Sequence, residues 1–208
     1  MAKPVRVEVS DASPAAQGFR MPAEWEPHRA TWLSWPHEKS DWPGKFDAVP
    51  WVFCEMIRAL HGGERIALIV RDKSAKRAAK SALEQSSVDL KRVDFYRMDS
   101  DRSWTRDSVP TFLLRARVRA ARGSALSAVK WRFNGWARYK NHKRDDALGY
   151  CVAQELGVRL FEPVLTLGKR RRQFVLEGGA IDVDGEGTLL ATEECLLDGP
   201  QARNPELG

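Results

Sequence analysis

The chain has 208 residues, 43% hydrophobic and 30% charged, and 34 Lys and Arg against 28 Asp and Glu leave a formal net charge of +6. That composition supplies a real core and excludes a disordered type, while the modest positive excess permits an anionic partner without requiring one. Three scattered cysteines with no C-x-x-C pair exclude a disulfide framework or a zinc ribbon, and no apolar run reaches the ~18 residues of a membrane helix.

In chain order, Met1–Arg20 is polar and small-residue rich, a loose lead-in to a domain over residues 21–208. Its first part, Met1–Gln17, lacks the apolar stretch of a secretion signal, so a cytoplasmic protein with no membrane partner is expected. Ala30–Trp35, stopped by Pro36, predicts a strand. Apolar residues at Val49, Val52, Phe53, Met56, Ile57 and Leu60 have helical spacing, so Phe46–Leu60 predicts a helix that the Gly62-Gly63 pair stops. Arg65–Val70 is a continuous apolar run of the kind found in buried strands. A Lys/Ala-rich helix over Ser74–Ser86, with Ser74 as N-cap, and a strand over Val93–Met98 complete one strand–helix–strand unit.

Thr111–Leu114 and Val129–Phe133 predict strands on either side of the Arg-rich stretch Arg115–Arg122, and Asp145–Leu156 predicts a helix ended by Gly157. Three further strands are expected at Phe174–Leu176, Ile181–Val183 and Thr188–Thr192. The last two flank Asp184-Gly185-Glu186-Gly187, a hairpin turn in which Asp-Gly tolerates positive φ. Arg203–Gly208 begins like a helix, with Asn204 as N-cap and Pro205 at its first position, so the chain is expected to stop mid-domain. The pattern is mixed α/β.

Chemistry concentrates in two places. Trp104-Thr105-Arg106-Asp107 lies in a turn between strands, where a carboxylate beside an indole suits a guanidinium or ammonium group; the alternative is a surface pair of Asp107 with Arg106 or a lysine. Glu177-Gly178-Gly179 follows an apolar run directly, which places an acid where backbone can approach a ligand closely. The alternative there is a hairpin with positive-φ glycines and an exposed Glu177. Asp107 and Glu177 together are suited to flank one planar cation.

The eight tryptophans, six of them in the first half, serve core packing or wall such a pocket. Cys54 and Cys151 read as small core residues, and Cys195 follows Glu193 and Glu194, whose charges work against a thiolate. The histidines (His28, His37, His61, His142) form no close ligand pair, so no metal or cofactor is expected. Lys169–Arg172 and Arg115–Arg122 read as solvated basic loops; a nucleic-acid binder would gather Arg115, Arg117, Arg119 and Lys169–Arg172 on one face.

Five segments in order resemble the agmatine deiminase and bacterial-type peptidylarginine deiminase family. They are Met21-Pro22-Ala23-Glu24-Trp25-Glu26-Pro27-His28 with Thr31-Trp32-Leu33-Ser34-Trp35-Pro36; Trp104–Asp107; Trp131-Arg132-Phe133-Asn134-Gly135-Trp136; Glu177–Leu197; and Arg203-Asn204-Pro205. The resemblance implies an α/β pentein (α/β propeller) fold, here incomplete at about three of five strand–helix modules. It also implies hydrolysis of a guanidinium to a urea with release of ammonia. In that family a Cys thiolate attacks the guanidinium carbon, a His shuttles protons and carboxylates hold the outer nitrogens.

By the same resemblance Asp107 and Glu177 take catalytic and substrate-binding roles, facing one central cavity, and Trp104 walls the substrate. The family's H-x-D motif and its C-terminal nucleophilic Cys have no counterpart, so the chain is expected not to catalyse deimination. The missing modules are expected to leave an apolar edge that favours aggregation or a homo-oligomer. Val109 stands where the family has Gly, which matters if the turn aiming Asp107 needs positive φ, and Ala137 stands where Gly usually follows Trp136.

The implied partner is a small cationic guanidinium compound, agmatine rather than peptidyl-arginine because no secretion signal is seen, with no nucleic acid, membrane or cofactor. The alternatives are a peptidylarginine deiminase-like enzyme, or a non-catalytic nucleic-acid-binding or interaction protein on this scaffold.

Overall fold

The computed structural model describes residues 13–115, 125–136, 138–167 and 169–205. They form two compact units, Pro27–Thr105 and the pair of segments Met1–Glu26 and Arg106–Gly208. Of the lead-in, residues 1–12 lie outside the described residues; the rest carries a 3-10 turn at Ala15–Gln17 and strand β1 (Phe19–Arg20).

The unit Pro27–Thr105 is a three-stranded parallel sheet, β2 (Ala30–Ser34), β3 (Arg65–Val70) and β4 (Val93–Arg97), with β3 in the centre. Helices α1 (Val49–Leu60) and α2 (Lys73–Gln85) make the two crossovers. Phe53, Cys54 and Ile57 of α1 and Ala79 and Leu83 of α2 pack with Ile66, Leu68 and Val70, every second residue of β3. Ala67 and Ile69, which point the other way, are also buried, which explains why this strand reads as an unbroken apolar run.

Two boundaries differ from expectation. Phe46–Ala48 is a 3-10 turn and the α-helix starts at Val49, because Pro50 has no N–H to give and fits only the first turn. The cap of α2 is Asp72 rather than Ser74: the Asp72 carboxylate accepts the Ala75 N–H at 2.8 Å, which puts Ser74 inside the first turn.

In the other unit, a one-turn helix α3 (Thr105–Ser108) leads into β5 (Thr111–Arg115). Strand β6 (Leu126–Val129), helix α4 (Lys143–Leu156) and strand β7 (Arg159–Phe161) form a crossover, and the sheet order is β1-β5-β6-β7. Gly157 ends α4 as the sequence predicted, with φ 62° in the left-handed region that glycine adopts readily. The strand expected at Val129–Phe133 lies three residues earlier, where Ser127, Ala128 and Val129 are buried between two neighbouring strands. Arg132 leaves that sheet and makes a single bridge to Val175, so the expected strand Phe174–Leu176 is one bridge long.

The basic run Lys169–Arg172, expected as a solvated loop, instead supplies β9 (Arg170–Gln173), paired antiparallel with β8 (Val164–Leu167). Strand pairing uses backbone groups, so a run of basic residues does not oppose it. Arg117 and Arg119, needed for a basic face, lie outside the described residues.

The hairpin β10 (Ile181–Val183) and β11 (Leu189–Ala191) turns through Asp184–Gly187, with Gly185 at φ 76° and the Asp184 carboxylate accepting the Glu186 and Thr188 N–H groups. Helix α5 (Glu193–Leu197) follows, capped by Thr192. Cys54 is fully buried as expected, whereas Cys151 is exposed: it lies on the outer side of α4, whose inner side is Leu148, Val152 and Ala153. No helix among the described residues is long and apolar enough to cross a membrane.

Candidate functional site

Asp107 and Glu177 come together in the unit containing residues 106–205. Arg106 leads the way: its Nε donates to the Gly178 carbonyl at 3.1 Å, and its Nη1 pairs with Glu24. The next residue, Asp107, accepts the Trp136 indole N–H on Oδ2 at 3.2 Å and the backbone N–H of Gly179. Glu177 stands two residues before Gly179 and is 1% exposed. The Nε of Arg203 donates to both Glu177 oxygens, at 3.2 and 3.1 Å, while its Nη1 donates to the Gln201 carbonyl.

The E-G-G glycines are there for space. Neither has positive φ. A Cβ on Gly178 would lie 2.5 Å from the Arg106 carbonyl oxygen, and one on Gly179 would lie 2.2 Å from Asp107 Oδ1. What the glycine backbone approaches so closely is the Arg106-Asp107 dipeptide itself, which locks the two acidic motifs face to face. The reading of Glu177 as an exposed hairpin residue with positive-φ glycines is therefore overturned. Val109 does not have positive φ either, so the turn that aims Asp107 does not need glycine there; Ala137 lies outside the described residues.

Gly179→Ala is expected to displace the Asp107 carboxylate, lowering the stability of the chain by about 1–3 kcal/mol, the usual cost of overpacking. Urea denaturation checks it, and an unchanged midpoint would show that Asp107 has room to move.

The electrostatics distinguish the two acids. Burial pushes the Glu177 carboxyl above the usual carboxylate range; Arg203 pulls it back, and the charge of Asp107 raises it further. Burial also pushes Asp107 up, opposed by the Trp136 and Gly179 hydrogen bonds and by the charges of Arg106 and Arg203. Glu177 is thus already matched by an internal guanidinium, whereas uncharged N–H donors hold Asp107.

Three partners carry roles that the sequence did not reveal. Trp136 and Arg203 fall in quoted motifs, but nothing local tells which acid each serves. Asn204, expected as a helix N-cap, instead clasps Val175: its Oδ1 accepts the Val175 N–H at 3.1 Å and its Nδ2 donates to the Val175 carbonyl at 2.8 Å. The side chain does for the Val175 backbone what a neighbouring strand would do. Trp104 belongs to the other unit, where it is 36% exposed and its ring lies 5.7 Å from that of Trp42. Cys195 packs against the apolar cluster of Leu176, Ala180 and Ile181. Among the described residues no group of three His, Cys, Asp or Glu is arranged to hold a metal ion.

On this mixed α/β frame a carboxylate held by neutral N–H donors thus stands near a second, buried acid. Residues 20–208 match the Porphyromonas-type peptidyl-arginine deiminase family, and the chain belongs to that family. It is 34% identical over 201 residues to the agmatine deiminase of Stutzerimonas stutzeri, covering 94% of this chain and 49% of that protein. With the agmatine deiminase of Ectopseudomonas mendocina the identity is 32% over 200 residues, covering 94% and 48%. The solved agmatine deiminase of Enterococcus faecalis superposes with a TM-score of 0.77 at 26% identity, over 97% of this chain and 50% of its own. The chain therefore spans about half the length of the relatives it matches.

Proposed function

We propose that this chain is the guanidinium-holding part of an agmatine deiminase-like hydrolase, built as about three of the five modules of a pentein propeller. The observation that supports it best is Asp107: a carboxylate on uncharged donors, beside buried Glu177, in a chain of the deiminase family. In this reading the Asp107 carboxylate takes two parallel N–H groups of the substrate guanidinium, and Glu177, kept in place by Arg203, shapes the wall behind it. The reaction served is hydrolysis of agmatine to N-carbamoylputrescine and ammonia, a step toward putrescine.

The chain by itself binds and does not turn over. Thiol attack on a guanidinium carbon needs a thiolate with a base beside it. Cys54 is sealed in the core of the other unit, Cys151 lies on the outer side of α4, and Cys195 packs among Leu176, Ala180 and Ile181. Titration calorimetry of the pure chain with agmatine is expected to show binding, and an ammonia assay on the same mixture to show none released. Ammonia release abolished by Cys195→Ser would overturn the inactivity. A folded chain that ignores agmatine but binds an arginine-containing peptide would move the reading to peptidylarginine.

A further inference from the structure

We infer that the Lys130–Asp146 pair is a positioning device that holds Trp136 on Asp107. Lys130 follows β6 and is 2% exposed, an unusual place for an ammonium. Its Nζ donates to Asp146 Oδ1 at 2.9 Å and to the carbonyl of its neighbour Trp131. The same Asp146 oxygen accepts the backbone N–H of Phe133 at 2.8 Å. One carboxylate oxygen on α4 thus ties down both ends of the 130–133 stretch.

Helix α4 is shaped for this. Gly149, one turn beyond Asp146, leaves a channel for the lysine stem; a Cβ there would lie 2.4 Å from Lys130 Cδ. Burial pushes the Lys130 ammonium below its ordinary value, and the charges of Asp146 and Glu162 pull it back. An ion pair adds little net stability whether exposed or buried, so a buried lysine held by one calls for another role.

The role is visible a few residues on. Phe133 is 1% exposed and meets the Trp136 ring edge to face at 6.0 Å. Gly135 and Trp136 both have positive φ, 67° and 57°. For Trp136 that is the left-handed conformation a bulky residue avoids, and it persists only where its surroundings hold it. The Tyr139 ring, 5.3 Å away, backs Trp136 from another side. What this strained turn accomplishes is the N–H donated by Trp136 to Asp107. The Asp146 carboxylate anchors the turn's entry at Phe133, and Lys130 keeps that carboxylate from swinging out to water, to which it is already one-third exposed.

The inference rests on the reading of Asp107 as the guanidinium-binding acid only for its effect on ligand; its structural part stands alone. The test is the indole N–H spectrum of the chain labelled with ¹⁵N-tryptophan, in which Trp136→Phe identifies the Trp136 signal. Asp146→Ala is expected to shift that signal and to weaken agmatine binding roughly two- to tenfold, the worth of one hydrogen bond. Asp146→Asn, whose amide oxygen still accepts from Phe133 and Lys130, is expected to restore both. A general loss of stability would lower the melting temperature and leave the Trp136 signal where it was. An unmoved Trp136 signal in folded Asp146→Ala overturns the inference. Should that variant not fold, Gly149→Ala, which crowds the lysine stem, decides by the same signal. If the parent chain binds no agmatine the functional reading fails, and the indole signal still decides the positioning.

Discussion

Arg203→Met is expected to lower the stability of the chain by about 3–5 kcal/mol, the cost of leaving a buried charge without its partner. Glu177 is 1% exposed and Arg203 6%, so no water replaces the lost guanidinium, and the Gln201 carbonyl loses its donor as well. The double variant Arg203→Met with Glu177→Gln removes both charges and is expected to regain most of the loss. The pH dependence has a definite sign. In the folded chain burial already raises the Glu177 carboxyl, and only Arg203 opposes that rise strongly. A carboxyl raised on folding favours the folded state below its unfolded value and ceases to do so as pH climbs through the folded value. Without Arg203 the rise is larger, so the deficit of Arg203→Met should shrink as Glu177 takes up a proton. Urea denaturation from about pH 8 down to about pH 4, spanning the carboxylate range, checks this. A deficit that stays constant across that range would mean Glu177 is not the group left exposed to the loss.

Ligand binding carries the second large effect. On the proposed function, Asp107→Asn is expected to weaken agmatine binding roughly 10- to 100-fold, the value of hydrogen bonds to a charged group. Asparagine keeps the size of the side chain and its one amide oxygen can still accept from Trp136, so a weakened affinity with an unchanged melting temperature reports the charge rather than the fold. Because burial raises the Asp107 carboxyl, a guanidinium binds only after its proton has left. The affinity of the parent chain should therefore fall about tenfold per pH unit once pH drops below the folded value of Asp107, while that of Asp107→Asn stays flat. Calorimetry in buffers of different ionisation enthalpy would detect the released proton. Equal affinities of parent and variant at every pH would remove Asp107 from the site.

Much of this was legible in the chain. The unbroken apolar run Arg65–Val70 predicted a buried strand, and the structure has β3 with the same bounds. Gly157 and Asp184–Gly187 predicted a helix end and a hairpin turn because backbone preferences are set by the residue that adopts them. The family resemblance predicted the fold of the solved agmatine deiminases.

What the chain did not reveal depends on where distant segments meet. Arg170–Gln173 reads as loop by composition and becomes a strand only because β8 offers it a ladder of backbone partners. The glycines of E-G-G read as turn formers, and only the arrival of Arg106 and Asp107 shows that their missing Cβ atoms make room. Trp136 finds Asp107 across 29 residues, Arg203 finds Glu177 across 26, and Asn204 finds Val175 across 29. By itself, then, the sequence determined the local conformations and the residue types available for cation chemistry, since periodicity and φ preference act between chain neighbours. The tertiary structure decided which donor serves which acid, because a buried charge is stabilised by whichever partner the closed chain brings within hydrogen-bond distance.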